Sequence, residues 1–100
     1  MKMFTLIYHK VLSDEVRRIL RRTKVTAYSE IPKILGVGPQ GIFDDSRYSL
    51  GHVVCLFAAV PDEWISKLVA AFQELTDRQR KLHGKPAVLH VFIMECTQAI

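Results

Sequence analysis

Three glycines early in the chain have a spacing that is typical of phosphate binding. Residues 36–41 have the sequence GVGPQG, a G-x-G-x-x-G pattern whose backbone amides cradle a pyrophosphate when a strand precedes and a helix follows. No helical pattern follows here, because Pro39, Phe43 and two aspartates continue a run of turn residues up to Gly51. We therefore predict a long loop over residues 36–51, either a flexible turn or an anion-binding nest of backbone amides.

A later glycine, Gly84, stands between a basic helical segment and a predicted strand. Arg78, Arg80 and Lys81 precede it, and Lys85 follows it. Glycine commonly ends a helix, and a lysine ammonium can bind phosphate as a point charge. Two interpretations stay open for Gly84-Lys85: an anion-binding turn, or a helix stop followed by a solvated lysine.

Four histidines and two cysteines raise the question of a metal site. His52 and Cys55 have ligand types that zinc and copper prefer, but an offset of three on a strand directs their side chains to opposite faces. Cys55 and Cys96 lie in apolar runs without CxxC spacing, which indicates reduced core thiols rather than a disulfide. We predict no metal site from these residues, although His9 and His83 remain candidate ligands at a subunit edge.

The charge balance favours anionic partners without selecting one. Fourteen Lys and Arg against ten Asp and Glu give a formal net charge of +4. The arginines of the first predicted helix lie opposite its apolar positions and indicate a solvent-facing surface: Arg17, Arg18, Arg21 and Arg22. No aromatic platform accompanies them, so we expect no nucleic-acid partner. No apolar run approaches the roughly 18 residues of a membrane helix, and we expect a cytoplasmic protein.

Hydrophobic periodicity predicts the element order βαββαβ in one domain, residues 1–100. The predicted strands are Met3–Tyr8, Val25–Ile31, Val53–Val60 and Ala87–Glu95. Pro32 is expected to interrupt the second strand, with residues 33–35 as an irregular extension. Ser13 is the predicted N-cap of the first helix. The second helix begins at Pro61, and its apolar stripe is Ile65, Leu68, Phe72, Leu75 and Leu82. This order predicts an α+β, ferredoxin-like fold: a four-stranded antiparallel sheet with two helices on one face.

Both faces of the predicted sheet are apolar, although two helices can cover only one. Residues 53–60 are all apolar, and in the last strand Leu89 and Val91 alternate with Phe92 and Met94. An uncovered face of this kind exceeds the apolar patch that monomers usually expose. We therefore expect self-association through this face into a closed symmetric ring.

The segment from Tyr28 to Gly38, YSEIPKILGVG, resembles the second strand of the nitrogen-regulatory PII superfamily and its exit into the T-loop. The element order and the length of 100 residues are similar to the small PII-like proteins, and the resemblance covers nearly the whole chain. It implies a trimeric PII-like assembly whose sheets line the centre. It also implies a sensor or regulator rather than an enzyme.

The same resemblance implies a ligand site between subunits. The T-loop base of one subunit would lie beside the turn before the last strand of its neighbour, and the residues implied are Gly36, Gly38, Gln40, Gly84 and Lys85. They would bind a small anionic effector, an adenine nucleotide such as AMP, ADP or ATP. The T-loop, residues 36–51, would pass the signal to a protein partner such as a membrane transporter, and we expect it to be mobile from Val37 to Leu50.

Two alternatives from other functional classes stay open. One is a metal-responsive PII-like or CutA-like protein. The other is a small ferredoxin-like enzyme, because residues 39–43 with Arg47 resemble the phosphate-binding loop of acylphosphatases. In that family the loop joins the first strand to the first helix, whereas here it joins the second and third strands. The sequence offers no general base and nucleophile that converge in one cleft.

Overall fold

The computed structural model describes residues 1–35, 37–38, 41–42 and 52–100. Its strands are β1 (Lys2–His9), β2 (Ser29–Leu35), β3 (Val37–Gly38), β4 (Gly41–Ile42), β5 (His52–Val60) and β6 (Leu89–Glu95). Its α-helices are α1 (Ser13–Arg22) and α2 (Ile65–His83). A short 3-10 turn precedes each helix, at Lys10–Leu12 and at Asp62–Trp64. Neither helix is long and apolar enough to cross a lipid bilayer.

Strands β2, β5, β1 and β6 form one antiparallel sheet in that spatial order. The central strand β1 is paired on both sides, so that Leu6 lies opposite Leu56 of β5 and opposite Val91 of β6. Strands β2 and β6 are therefore the two edges. This arrangement confirms the predicted ferredoxin-like fold.

Alternate residues of the strands face the two helices and form one core. In β1 these residues are Phe4, Leu6 and Tyr8, each at most 1% exposed. The helices contribute Val16, Ile19 and Leu20 from α1, with Leu68, Ala71, Phe72 and Leu75 from α2. The rings of Phe4 and Phe72 lie 5.6 Å apart between centroids at an angle of 35°. Both helices thus cover the same face of the sheet.

Strand β2 begins later than predicted, and it includes the irregular extension over residues 33–35 that the sequence predicts. It starts at Ser29 instead of Val25 and continues through Pro32 to Leu35. Its pairing with β5 shifts register between Ile31 and Ile34, so the proline lies within a bulge. Because β2 is an edge strand, one side of its backbone needs no strand partner, and a residue without an N–H is tolerated there.

Three further details of the helices and the last strand differ from expectation. Ser13 is the first residue of α1 and not its N-cap, because the 3-10 turn before it is capped by the side chain of His9, which accepts a hydrogen bond from the Val11 N–H. Leu82 is 68% exposed, and the buried stripe of α2 consists of Leu68, Ala71, Phe72 and Leu75. Strand β6 begins at Leu89 rather than Ala87.

The beginning of the predicted loop contains regular structure. Strands β3 and β4 pair antiparallel, with Val37 opposite Ile42 and Gly38 opposite Gly41. The stretch is therefore a short two-stranded ladder where the sequence predicts only turn chemistry. The expected mobility of the loop as far as Leu50 falls mainly on residues outside the described ranges.

Candidate functional site

Both predicted site segments lie at the end of the sheet where β1 ends. Leu35, the last residue of β2, pairs with His52, the first residue of β5. Leu89, the first residue of β6, pairs with Tyr8 near the end of β1. The loop that leaves β2 and the turn that enters β6 therefore emerge from the same end.

The two segments nevertheless belong to opposite edges of the sheet. In the order β2, β5, β1, β6 they are three strand spacings apart, which is roughly 14 Å at about 4.8 Å per spacing. One chain therefore does not bring the base of the loop against the turn after α2. Two copies placed edge to edge would shorten that distance.

The structure gives Gly84 a clear role as a helix stop. Gly84 has φ 72°, in the left-handed region, and its N–H donates to the Arg80 carbonyl at 2.8 Å. Apart from its two chain neighbours, no described residue lies within 4 Å of the position that a Cβ would take, so the space around it is open. Lys85 follows and is exposed. Of the other predicted site residues, Gly38 has its backbone in β3, while Gly36 and Gln40 lie outside the described residues.

The last turn of α2 makes this end of the molecule basic. Arg80, Lys81 and His83 stand in that turn, directly before Lys85, and Lys10 lies in the 3-10 turn that follows β1. Cations at a helix C-terminus stabilise the helix against its own dipole, and together they attract anions. The end thus combines a cationic surface with two loop segments.

The second face of the sheet is apolar and uncovered in one chain. It carries residues that point away from the helices, among them Ile31 (46% exposed), Phe92 (50%) and Met94 (55%). Cys55 and Phe57 of β5 and Met3 and Ile7 of β1 lie between them and are half-buried. The predicted apolar face is therefore present across all four strands.

A groove runs between α2 and the edge strand β6, and it has a volume of about 540 Å³. Val69, Phe72, Val91 and Ile93 contribute its apolar walls, and Phe92 connects it with the uncovered face. The apolar surface therefore continues around this edge of the sheet.

A polar cluster ties α1, β1 and β2 together near the base of the loop. The Tyr8 hydroxyl donates to Glu30 Oε1 at 3.2 Å, and Arg17 Nη2 donates to both carboxylate oxygens of Glu30 at 3.2 Å. Glu30 lies directly before the bulge of β2, on its helix-facing side opposite Leu56. The cluster thus fixes the strand from which the loop emerges.

Burial, followed by the negative charge of Glu30, raises the pKa of Tyr8 to about 12. The same carboxylate raises the pKa of Arg17. Sequence reasoning missed this cluster. Strand alternation could have indicated it. Ser29 and Ile31 face away from the helices, so the Glu30 carboxylate between them must face the core, where a buried charge needs a partner.

Among the described residues, no group of three or more His, Cys, Asp or Glu side chains comes together as a metal site. Cys55 and Cys96 are both free thiols of intermediate exposure. The side chain of His52 lies outside the described part.

No protein-family model and no curated protein matches the chain. Solved structures match it. CPII, a nitrogen regulatory PII-like protein from Thiomonas intermedia K12 bound to ADP, AMP and bicarbonate, matches with TM-score 0.65 and 20% identity, over 99% of this chain and 94% of that one. The apo form of CPII matches with TM-score 0.64 and 20% identity over 95% and 89%. CPII bound to ADP, AMP and acetate matches with a TM-score of 0.65 and 20% sequence identity, over 97% of this chain and 88% of that one. This chain therefore has the fold of a PII-like protein.

Proposed function

We propose that this protein is a trimeric PII-like regulator that binds a small anionic effector between subunits and signals through the loop 36–51. The effector class is an adenine nucleotide (AMP, ADP or ATP), with bicarbonate as a second small anion to test. It acts by binding rather than by catalysis, and its partner is a protein, such as a membrane transporter. CPII, whose fold this chain shares, is bound to ADP, AMP and bicarbonate.

The observation that carries the proposal is the placement of the two loop segments at one end of the sheet but on opposite edges. A site that draws on both segments, with Gly36, Gly38 and Gln40 from one and Gly84 and Lys85 from the other, would therefore need two chains. The uncovered apolar face supplies the reason for copies to assemble, because burial of that face removes apolar area from water. A cyclic trimer would place the β2 edge of one copy beside the β6 edge of the next.

In the assembled site, backbone amides of the loop base and the Lys85 ammonium would face the anion together. Backbone N–H groups and a lysine form charge-assisted hydrogen bonds with phosphate oxygens. The basic last turn of α2 raises the local concentration of anions. Ordering of the loop around the ligand would then change the surface that a partner protein meets.

Calorimetry with AMP, ADP, ATP and bicarbonate on wild-type protein and on Lys85→Ala tests the site. We expect Lys85→Ala to weaken nucleotide binding by roughly 5- to 150-fold, which corresponds to about 1–3 kcal/mol, while light scattering still finds the trimer. Arg18→Ala is the control, since Arg18 is an exposed cation of α1 outside the site. Absence of binding heat for all four ligands, or equal affinity in wild type and Lys85→Ala, would overturn the site assignment.

Limited proteolysis tests the signalling loop separately. We expect the first cut of the free protein between Val37 and Leu50, and slower cleavage there when the effector is bound. First cleavage at another place, or a rate that the effector does not change, argues against a switch role for this loop.

A further inference from the structure

A second pocket lies at the opposite end of the molecule from the loop 36–51. It is a cavity of about 160 Å³ between the end of α1 and the beginning of α2, lined by Thr23, Lys24, Glu63, Trp64, Lys67 and Leu68. Helix α2 begins where β5 ends at Val60, which pairs with Lys2 at the start of β1. The pocket is therefore separated from the proposed effector site by the length of the sheet.

The floor of the pocket is formed by two buried residues. Leu68 is 1% exposed and belongs to the core, and Thr23 is 7% exposed. The Thr23 hydroxyl is already occupied by the carbonyls of Ile19, at 2.7 Å, and Leu20, at 3.2 Å. The floor therefore presents little surface of its own to a ligand, and the exposed side chains around it, Lys24, Glu63, Trp64 and Lys67, would make most of the contacts.

Lys24 lies at the edge of the pocket, and two backbone hydrogen bonds hold its conformation. It has φ 65°, and its N–H donates to the Arg21 carbonyl at 3.1 Å, while the next N–H, of Val25, donates to Leu20 at 2.9 Å. This pair of hydrogen bonds is the Schellman ending of a helix, in which glycine is the favoured residue at the left-handed position. The chain instead carries a lysine there, and it places an ammonium at the pocket.

The charges around the pocket are of both signs and are not paired with each other. Lys24, Lys67 and Glu63 are all exposed, and none of them makes an ion pair within residues 1–35, 37–38, 41–42 and 52–100. The indole of Trp64, 37% exposed, forms an apolar wall beside them. Two cations, one carboxylate and an apolar wall complement a zwitterion that has an apolar side chain.

We propose that this pocket binds one free α-amino acid with an apolar side chain. Its carboxylate would lie between Lys24 and Lys67, its ammonium would face Glu63, and its side chain would pack on the indole of Trp64. The size agrees for the side chain, because a cavity of about 150 Å³ holds a benzene ring and the four-carbon side chain of leucine is smaller than that ring, while the charged groups would stay at the mouth of the pocket. The site is independent of the proposed nucleotide site, and neither depends on the other.

Trp64 is the only tryptophan in the chain, so its fluorescence reports on this pocket directly. We expect L-leucine or L-methionine to change that fluorescence in a saturable manner, with half-saturation below about 1 mM. The two halves of leucine, 4-methylpentanoate without the ammonium and 3-methylbutylamine without the carboxylate, should each bind at least about tenfold more weakly. Equal binding of 4-methylpentanoate, or no saturable change with any of these compounds, would overturn the proposal.

Variants separate a binding role from a structural one. Lys24→Gly removes the ammonium and places at φ 65° the residue that adopts it most easily, so we expect weaker leucine binding with a melting temperature that is unchanged or higher. Glu63→Gln should weaken binding of leucine but not of 4-methylpentanoate. Lys33→Ala, an exposed lysine of β2, is the matched control and should bind as wild type does. Wild-type affinity in both Lys24→Gly and Glu63→Gln would refute the assignment.

Discussion

The two faces of the sheet come from the same strands and are similarly apolar, yet one face is buried and the other is exposed. On one face Phe4, Leu6 and Leu56 meet two helices and are at most 1% exposed. On the other face Phe92 and Met94 remain half-exposed in the single chain. Removing either face from water would be favourable, but only the first face is buried within one chain. Apolar residues on a strand face therefore identify a surface that must be buried. They do not indicate whether helices of the same chain or other subunits bury it.

Truncation of the covered face should have the largest effect. Phe72→Ala removes a ring that is 1% exposed and packs on Phe4, so we expect a loss of about 3–5 kcal/mol in the free energy of unfolding. Leu82→Ala on the same helix is the control and should change it by no more than about 0.5 kcal/mol, since Leu82 is exposed. Urea denaturation of both variants measures the free energy of unfolding. Similar losses in the two variants would contradict the conclusion that Phe72 belongs to the core and Leu82 does not.

A charge on the uncovered face should abolish assembly and leave the fold of the chain intact. In the proposed trimer, Phe92→Glu would place a carboxylate among apolar residues of neighbouring copies, where it would be buried without a partner. We expect light scattering to find monomers with an unchanged far-ultraviolet circular dichroism spectrum. Leu82→Glu, an equal change at an exposed position of α2, should leave the trimer in place. A wild-type monomer, or a Phe92→Glu trimer, would show that this face has another role.

The polar cluster on the covered face should have a smaller effect than the apolar core around it. Glu30→Gln removes the negative charge that Arg17 contacts. The Arg17 side chain is 43% exposed, and we therefore expect a loss of only about 1 kcal/mol. Chemical denaturation of Glu30→Gln, Arg17→Gln and the double variant measures the coupling. Strictly additive losses would mean that the contact contributes nothing to stability.

The effect that is smallest at neutral pH concerns the titration of Tyr8, because it appears only in alkaline solution. Its pKa is raised from 10.0 to about 12, so its contribution to stability is complete below pH 10 and is lost as the pH rises through 12. In a tyrosinate absorbance titration, we expect one phenol to titrate last, at a pH that Glu30→Gln lowers. Tyr8→Phe should remove that step and reduce the fall in stability between pH 10 and 12. A last step that survives in Tyr8→Phe belongs to another tyrosine.

The topology and the excess of apolar surface could both be predicted from the amino-acid sequence. Short apolar runs at β1, β5 and β6 and helical periods between them leave few alternatives to a ferredoxin-like sheet with helices on one face. Those signals are local, because each depends on residues close together in the chain. The same reasoning identified Gly84 as a candidate helix stop, since the left-handed position after a helix favours glycine.

Other features depended on the tertiary structure because they join residues that are distant in the chain. Whether Pro32 ends β2 or lies within a bulge depends on β2 being an edge strand, which follows only from the strand order. The contact of Glu30 with Arg17 and Tyr8 needs three elements in place at once. Lys24 comes to line a pocket with Trp64 and Lys67 only because the end of α1 packs beside the start of α2. Local sequence sets the conformation of each segment, and only packing decides which segments meet.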